Sequence, residues 1–129
     1  MKKETVSSLK KELDKIFSRY IRYRDKGRCF TCRLVRDPKE MQNGHYVPRQ
    51  FNSTRYDERN NNCQCYACNM LYGGQPDIYT INLQKKYGKK IVQELNNLRK
   101  QTKQFSVPEL KEMIKKYKDK LEYLSTHPF

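Results

Sequence analysis

Apolar residues recur at helical spacing in three stretches of the chain, on either side of a stretch with no helical period. Leu9, Leu13, Ile16, Phe17, Tyr20 and Ile21 fall three and four residues apart. This puts them on one stripe of an amphipathic helix from about Ser7 to Asp25. Lys10, Lys11, Lys15, Arg19, Arg22 and Lys26 fall mostly off the stripe, and Gly27 supplies a stop. Beyond Gly73-Gly74, Pro76 sits where a first helical turn tolerates proline. Ile78, Ile81 and Leu83 begin a helix there, Gly88 interrupts it, and Ile91, Val92, Leu95 and Leu98 continue the pattern. A last helix opens at Ser106, with Glu109 three residues on as in a capping box. Its Leu110, Ile114, Tyr117, Leu121 and Leu124 approach a heptad seam, which predicts packing along a neighbour in the same chain or in a partner. The intervening residues 29–75, rich in Asn, Gly, Arg and Cys, predict short strands and loops. The expected fold is a mainly helical α+β single domain over 1–129, with a helix in 1–28, an irregular centre in 29–75 and helices in 76–129.

Composition makes that centre a problem. Only 36% of the 129 residues are hydrophobic and none is Trp, so burial alone is a thin source of cohesion. Ten Tyr and five Phe nevertheless argue against a disordered chain. No apolar run approaches the roughly 20 residues of a membrane helix. The basic opening MKKETVSSLKKEL lacks the apolar segment of a signal peptide, so a soluble, cytoplasmic protein without a membrane partner is expected. The charge of +14 is placed unevenly. Residues 1–28 carry a net +6, residues 29–84 only +1, and residues 85–129 +7. Lysine-rich wings are often no more than solvated helix faces, but an excess this one-signed attracts phosphate backbones. Nucleic acid is therefore the expected partner, ahead of an anionic membrane surface.

The near-neutral centre holds all five cysteines. Cys29-Phe30-Thr31-Cys32 and Cys65-Tyr66-Ala67-Cys68 are two CxxC knuckles, each able to aim two sulfurs at one ion, and together they make a tetrahedral zinc site. A redox CxxC comes singly beside a βαβ pattern, which is absent, and disulfides are disfavoured in a cytosolic chain. Zinc bound this way contributes folding energy, which answers the thin core. Cys63 stands outside both knuckles, either as a small buried residue or as a competitor of Cys65 for the metal. The 32 residues between knuckles exceed the roughly 15–20 of a plain zinc ribbon. They contain Asn43-Gly44-His45-Tyr46 and Asp57-Glu58-Arg59-Asn60, and Asn69 follows the last knuckle cysteine directly. By itself His45 reads as a packed residue, a metal ligand or a general base. Arg49, Arg55 and Arg59 offer planar forks suited to phosphate, or local partners for Asp57 and Glu58.

A His on a strand, an Asn in the following loop and a His or Asn at the start of a helix after a CxxC is the arrangement of HNH (ββα-metal) nucleases. More closely, the chain resembles the NinG/Rap family of lambdoid phage recombination proteins. The likeness is carried by CFTC at 29–32, GHY at 44–46, ERN at 58–60, QCYACN at 64–69, Gly73-Gly74, and the Tyr79…Gly88…Leu95 helices, spanning about Leu9 to Leu124. The resemblance implies a phage- or prophage-encoded, structure-specific DNA endonuclease. It would act on branched recombination intermediates such as Holliday junctions and D-loops, through a four-cysteine zinc-bound, HNH-like centre. It implies His45 as general base, Asn60 as the residue that orients it, and Asn69 as a ligand of a catalytic Mg²⁺ or Mn²⁺. Gly44 stands where many HNH enzymes carry a second metal ligand, which makes Asp57 or Glu58 a candidate for the missing oxygen. Arg49, Arg55, Arg59, Arg19, Arg22, Lys85, Lys86 and Lys89 are candidate DNA contacts, and a homodimer would suit a four-armed junction. The competing reading is a non-catalytic zinc-ribbon DNA-binding protein. An RNA-directed nuclease is a third, because the scaffold does not by itself choose the sugar.

Overall fold

A computed structural model describes residues 4–127; residues 1–3 and 128–129, the ends of the two basic wings, lie outside the described residues. The first helix, α1 (Val6–Arg24), matches the predicted stripe, with Leu9, Leu13, Phe17, Tyr20 and Ile21 buried. Its N-terminus is closed by Thr5 and Ser8, each side chain accepting from the other's backbone N–H at 3.0 Å. It stops at Gly27, where φ is +70° and a Cβ would stand 1.9 Å from the Arg36 carbonyl oxygen, so glycine is the residue that fits.

The chain then forms a hairpin of β1 (Gln42–His45) and β2 (Asn61–Gln64), antiparallel, with His45 opposite Asn61 and Gly44 opposite Asn62. Between the strands lies α2 (Asn52–Arg55), a single turn without a hydrophobic period to announce it. After β2 comes a five-residue π-type turn, Ala67–Leu71, and then α3 (Pro76–Tyr87), α4 (Ile91–Arg99) and α5 (Val107–Thr126). Gly88, at φ +99°, makes the predicted break between α3 and α4. At the head of α5 the capping box is half formed. The Ser106 hydroxyl accepts from the Glu109 N–H at 3.2 Å, but the Glu109 carboxylate turns outward to Lys103 at 2.7 Å.

The seam of α5 is filled by α1 of the same chain. Leu110, Ile114 and Tyr117 pack with Leu9, Leu13, Phe17 and Ile21, and Phe17 meets Tyr117 edge-on at 4.8 Å. Glu4 pairs with Lys111 and Glu12 with Lys118, so the two helices run in the same direction. The seam therefore gives no ground for a second copy. A second cluster gathers Phe30, Val47, Tyr79, Leu83, Ile91 and Leu95, and a third is built from Met41 and four of the cysteines.

The hairpin joins these clusters through polar contacts. Arg24, at the end of α1, donates to the carbonyls of Glu58 (3.0 Å) and Asn61 (2.8 Å) and to Asn62 Oδ1 (3.2 Å). Glu58 ties the hairpin loop to both long helices, accepting from Tyr20 (2.9 Å), Tyr117 (3.1 Å) and Lys120 (2.9 Å). Partial burial pushes its carboxyl pKa up, but the Lys120 and Tyr20 bonds outweigh this and hold it below the usual carboxylate value. Such a group stabilises the fold above the unfolded-chain pKa of about 4.3, and the contribution is lost as pH falls through the lower folded value. Glu58→Ala is expected to cost about 2 kcal/mol at pH 7 in urea unfolding. The gap to wild type should narrow as the pH is taken below about 4.

Candidate functional site

The two knuckles meet. Cys29 and Cys32 sit on a tight turn closed by the Arg28–Val35 bridge, while Cys65 follows β2 and Cys68 lies in the π-type turn. In each knuckle the backbone N–H of the second cysteine donates to the sulfur of the first, at 3.5 Å. The four Sγ atoms lie within 4.8 Å of one another, and those of Cys32 and Cys65 are 3.7 Å apart. Tetrahedral zinc with bonds of about 2.3 Å separates its sulfurs by about 3.8 Å, so the set can hold a metal such as zinc with little movement. Burial pushes the Cys29 thiol up, yet the Cys32 N–H and the Thr31 hydroxyl bring it down to about 6, toward the thiolate that a metal takes. Cys63 is not in the cluster. It is fully buried, its N–H donates to Asp25 at 2.8 Å, and burial with the nearby Asp25 charge pushes its thiol up to about 12. Of its two readings, the small buried residue is the one its surroundings fit.

His45 ends β1 in a cavity of about 330 Å³, whose walls include Asp14, Arg22, Gln42, Arg49, Arg55 and Tyr56. Its imidazole is half-buried and has no hydrogen-bond partner among the described residues. Burial, with Arg49 and then Arg55 adding like charge against the Asp14 carboxylate, lowers its pKa to about 4, so the ring is neutral at neutral pH. Asn60 is fully buried and does not line the cavity. Its side chain accepts from the Val47 N–H at 2.7 Å and donates to the Val47 carbonyl at 3.0 Å, while its own carbonyl accepts from Tyr46 N–H at 3.0 Å. These bonds clamp the two residues that follow His45, and so fix the exit of the strand.

The other candidate residues are less concentrated. Asn69 lies in the π-type turn and donates to Gln42 Oε1 at 2.7 Å; its own Oδ1 accepts no bond among the described residues. Asp57 and Glu58 do not line the His45 cavity: Asp57 holds Arg59 (2.9 Å), and Glu58 is taken by Tyr20, Tyr117 and Lys120. Arg59 also pairs with Glu94 at 2.8 Å. Arg49, Arg55 and Arg22 do reach the cavity, although Arg55 is held by Asp14 through both carboxylate oxygens and Arg22 donates to the Pro38 carbonyl at 3.0 Å. Arg19 lies over Tyr23, in a different depression on the α1–α5 side. Lys86 reaches Asn62 and lies over Phe30 and Tyr87, while Lys85 and Lys89 are exposed around the end of α3.

Gly44 has a positive reason to be glycine. An added Cβ would stand 1.9 Å from Gln64 Oε1, and Gln64 is 1% exposed with its amide nitrogen fixed by Thr31 Oγ1 (3.2 Å) and the Gly74 carbonyl (3.0 Å). Its oxygen, without a conventional donor, lies against the Gly44 backbone where a Cα–H contact is the available interaction. No side-chain ligand fits at position 44 without moving Gln64. Gln42, Gln64, Asp14 and Tyr56 escaped the motif reading. A signal existed for Asp14, one of two acids, with Glu12, between Lys11 and Lys15 of α1. Among the described residues, the four cysteines are the one group of three or more His, Cys, Asp or Glu placed to hold a metal.

Purified protein is expected to carry one zinc per chain by elemental analysis. Cys32→Ser and Cys68→Ser should lose it and melt at lower temperature, whereas Cys63→Ser should keep it. Equal zinc loss in Cys63→Ser would show that the fifth thiol is a ligand.

No curated protein and no solved structure matches the chain. Residues 1–126 match the family described as Bacteriophage Lambda NinG protein. That span takes in both knuckles, the hairpin that carries His45 and all five helices, and the chain belongs to the NinG family.

Proposed function

We propose that this protein is a structure-specific endonuclease that hydrolyses phosphodiesters in branched DNA recombination intermediates, with His45 as general base. The observation that carries the reading is an imidazole without a hydrogen-bond partner, neutral at neutral pH, in a cavity walled by Arg22, Arg49 and Arg55. A phosphodiester entering the cavity meets Arg49, whose guanidinium is unpaired among the described residues, beside Arg55. The imidazole then takes a proton from the attacking water. A ring with a pKa of about 4 is a weak base, but two of the causes that lower it are the Arg49 and Arg55 charges. A bound phosphate offsets those charges and moves the ring back toward its ordinary basicity. Asn60 acts as a positioning residue through the Tyr46–Val47 backbone, and the four cysteines hold a structural zinc.

For a catalytic Mg²⁺ or Mn²⁺ the protein's oxygen donors are few. Asn69 Oδ1 is open, Gly44 supplies nothing, and the one carboxylate in the cavity, Asp14, is engaged by Arg55 and Tyr56. Asn69 lies outside the cavity lining and reaches it only through Gln42, so an ion held by its Oδ1 would depend on substrate phosphate oxygens and water for its other ligands, and when bound it would stabilise charge on the phosphate and the leaving oxygen. The sparse donor set is also what favours the second reading, a non-catalytic DNA-binding protein. A homodimer would set two such sites on a four-armed junction.

Cleavage of four-way junction, D-loop and linear DNA in Mg²⁺ or Mn²⁺, with EDTA as control, separates the readings. Wild type is expected to cut the branched substrates, and His45→Ala to cut at least about 10²-fold more slowly while binding equally well. Binding with no cleavage in either metal selects the second reading. The base is needed neutral, so activity falls as pH drops through its pKa. For kcat/KM, which reports the free protein, that fall is expected near pH 4. Between pH 5.5 and 7.5 the profile should be nearly flat, where an ordinary histidine of pKa about 6.5 would give a roughly tenfold rise.

A further inference from the structure

We infer that the substrate strand reaches His45 along the N-terminal half of α1, in a phosphate-binding groove whose working cations are Lys11, Lys15 and Arg49. A depression of about 800 Å³ runs there, bordered by Lys10, Lys11, Lys15, Asp14, Arg49 and Arg55. It shares Asp14, Arg49 and Arg55 with the His45 cavity, so the two adjoin across those side chains and a strand lying in this groove would lead to His45.

The cations along this groove divide into those held by the fold and those left available. Arg55 is neutralised by Asp14, and Lys10 is held by Asn52 at 3.0 Å beside the Phe105 ring. Burial and the facing Arg55 and Arg49 lower the Lys10 pKa, against Asp14, and Lys10 lies in the groove wall. The side-chain cations of Lys11, Lys15 and Arg49 have no hydrogen bond or ion pair among the described residues, although the Arg49 carbonyl accepts from Arg55 at 3.2 Å. Glu4 and Glu12 share a neighbouring depression with Lys11 and Lys15, but Glu4 is paired with Lys111 and Glu12 with Lys118 on the α5 side. Lys11 and Lys15 are one turn apart, about 6 Å along the axis, so they track a line leading to Arg49 rather than a single point. A row of unpaired cations in a groove suits a polyanionic backbone and reads no sequence. The many lysines of α5 and α3 lie outside this groove and the cavity. Their charge adds to the general field, while the groove directs the strand.

The placement of the cut within this groove depends on the endonuclease reading, but binding does not, and the test reads binding. Fluorescence anisotropy of labelled four-way junction DNA, in EDTA and across a salt series, compares two triple variants with equal charge loss. Lys11→Gln/Lys15→Gln/Arg49→Gln empties the groove, and Lys39→Gln/Lys100→Gln/Lys115→Gln removes three exposed lysines elsewhere. Zinc content and circular dichroism verify that both are folded. The groove variant is expected to bind roughly a hundredfold more weakly near 0.1 M salt, with a log–log salt slope shallower by about 3, and the control to change far less. Equal losses in the two variants, or wild-type binding by the groove variant, overturn the proposal, as does failure of wild type to bind DNA. Groove-dependent binding without cleavage in any metal supports the groove and defeats only the nuclease reading.

Discussion

Asn60, just before β2, and Asn61, Asn62 and Gln64 within it are each at most 1% exposed, where alternation of apolar and polar residues would be the ordinary solution for a strand. An unsatisfied buried amide costs about 1–3 kcal/mol, so four of them together would undo a domain with this little apolar surface unless they were paired. All four amide nitrogens are paired, those of Asn60, Asn61 and Asn62 with the loop that they support, and the Gln64 oxygen alone of the four side chains lacks a donor. Asn60 takes the backbone of Val47, Asn61 the carbonyls of Arg55 and Asp57, Asn62 the Arg59 carbonyl and the Tyr79 hydroxyl, and Gln64 the Gly74 carbonyl. The segment between His45 and β2 is therefore shaped by side-chain amides more than by its own secondary structure. His45 keeps its position because the residues that follow it are bonded to the opposite strand.

That network also explains how a chain with mean hydropathy −1.09 holds together. Its apolar residues are divided among three small clusters, and the links between them are Arg24, Glu58, the amides and the cysteine centre. The acids are used in the same economical way. Glu4, Glu12, Asp14, Asp25, Asp57, Glu58, Glu94 and Glu109 all pair with cations. The surplus cations are consequently left at the surface with little local compensation, which is the condition for a long-range field.

The helices were legible because their information is local. The stripe from Leu9 to Ile21 and the stop at Gly27 placed α1 within a residue at each end, Gly88 placed the break, and the CxxC spacing placed the sulfurs. What could not be read depends on partners far along the chain. Glu58 meets Tyr20, Tyr117 and Lys120, and Arg55 meets Asp14. Nothing in the DERN segment distinguishes a free carboxylate from one already committed to other helices. The heptad-like seam of α5 was ambiguous for the same reason, since the pattern states that a neighbour exists but not whose it is.

The contact between Gly44 and Gln64 has the widest consequence for chemistry. With the strand position before His45 closed to side chains, charge at the cavity must be balanced by groups from elsewhere, and what the fold brings there is cationic. Arg22 comes from α1, Arg49 from the loop after β1 and Arg55 from α2. A guanidinium offers several fixed donors to a phosphate without the loss of hydration that a bare divalent ion requires. Under the proposed activity, the arginines take over part of the electrostatic stabilisation that a fully ligated metal would supply. Burial is the first cause of the low resting pKa of His45, and the Arg49 and Arg55 charges add to it, because cations that attract a phosphate also repel a proton. Under that proposal a bound phosphate would offset the Arg49 and Arg55 charges and strengthen the base, which would couple basicity to occupancy through the same two side chains.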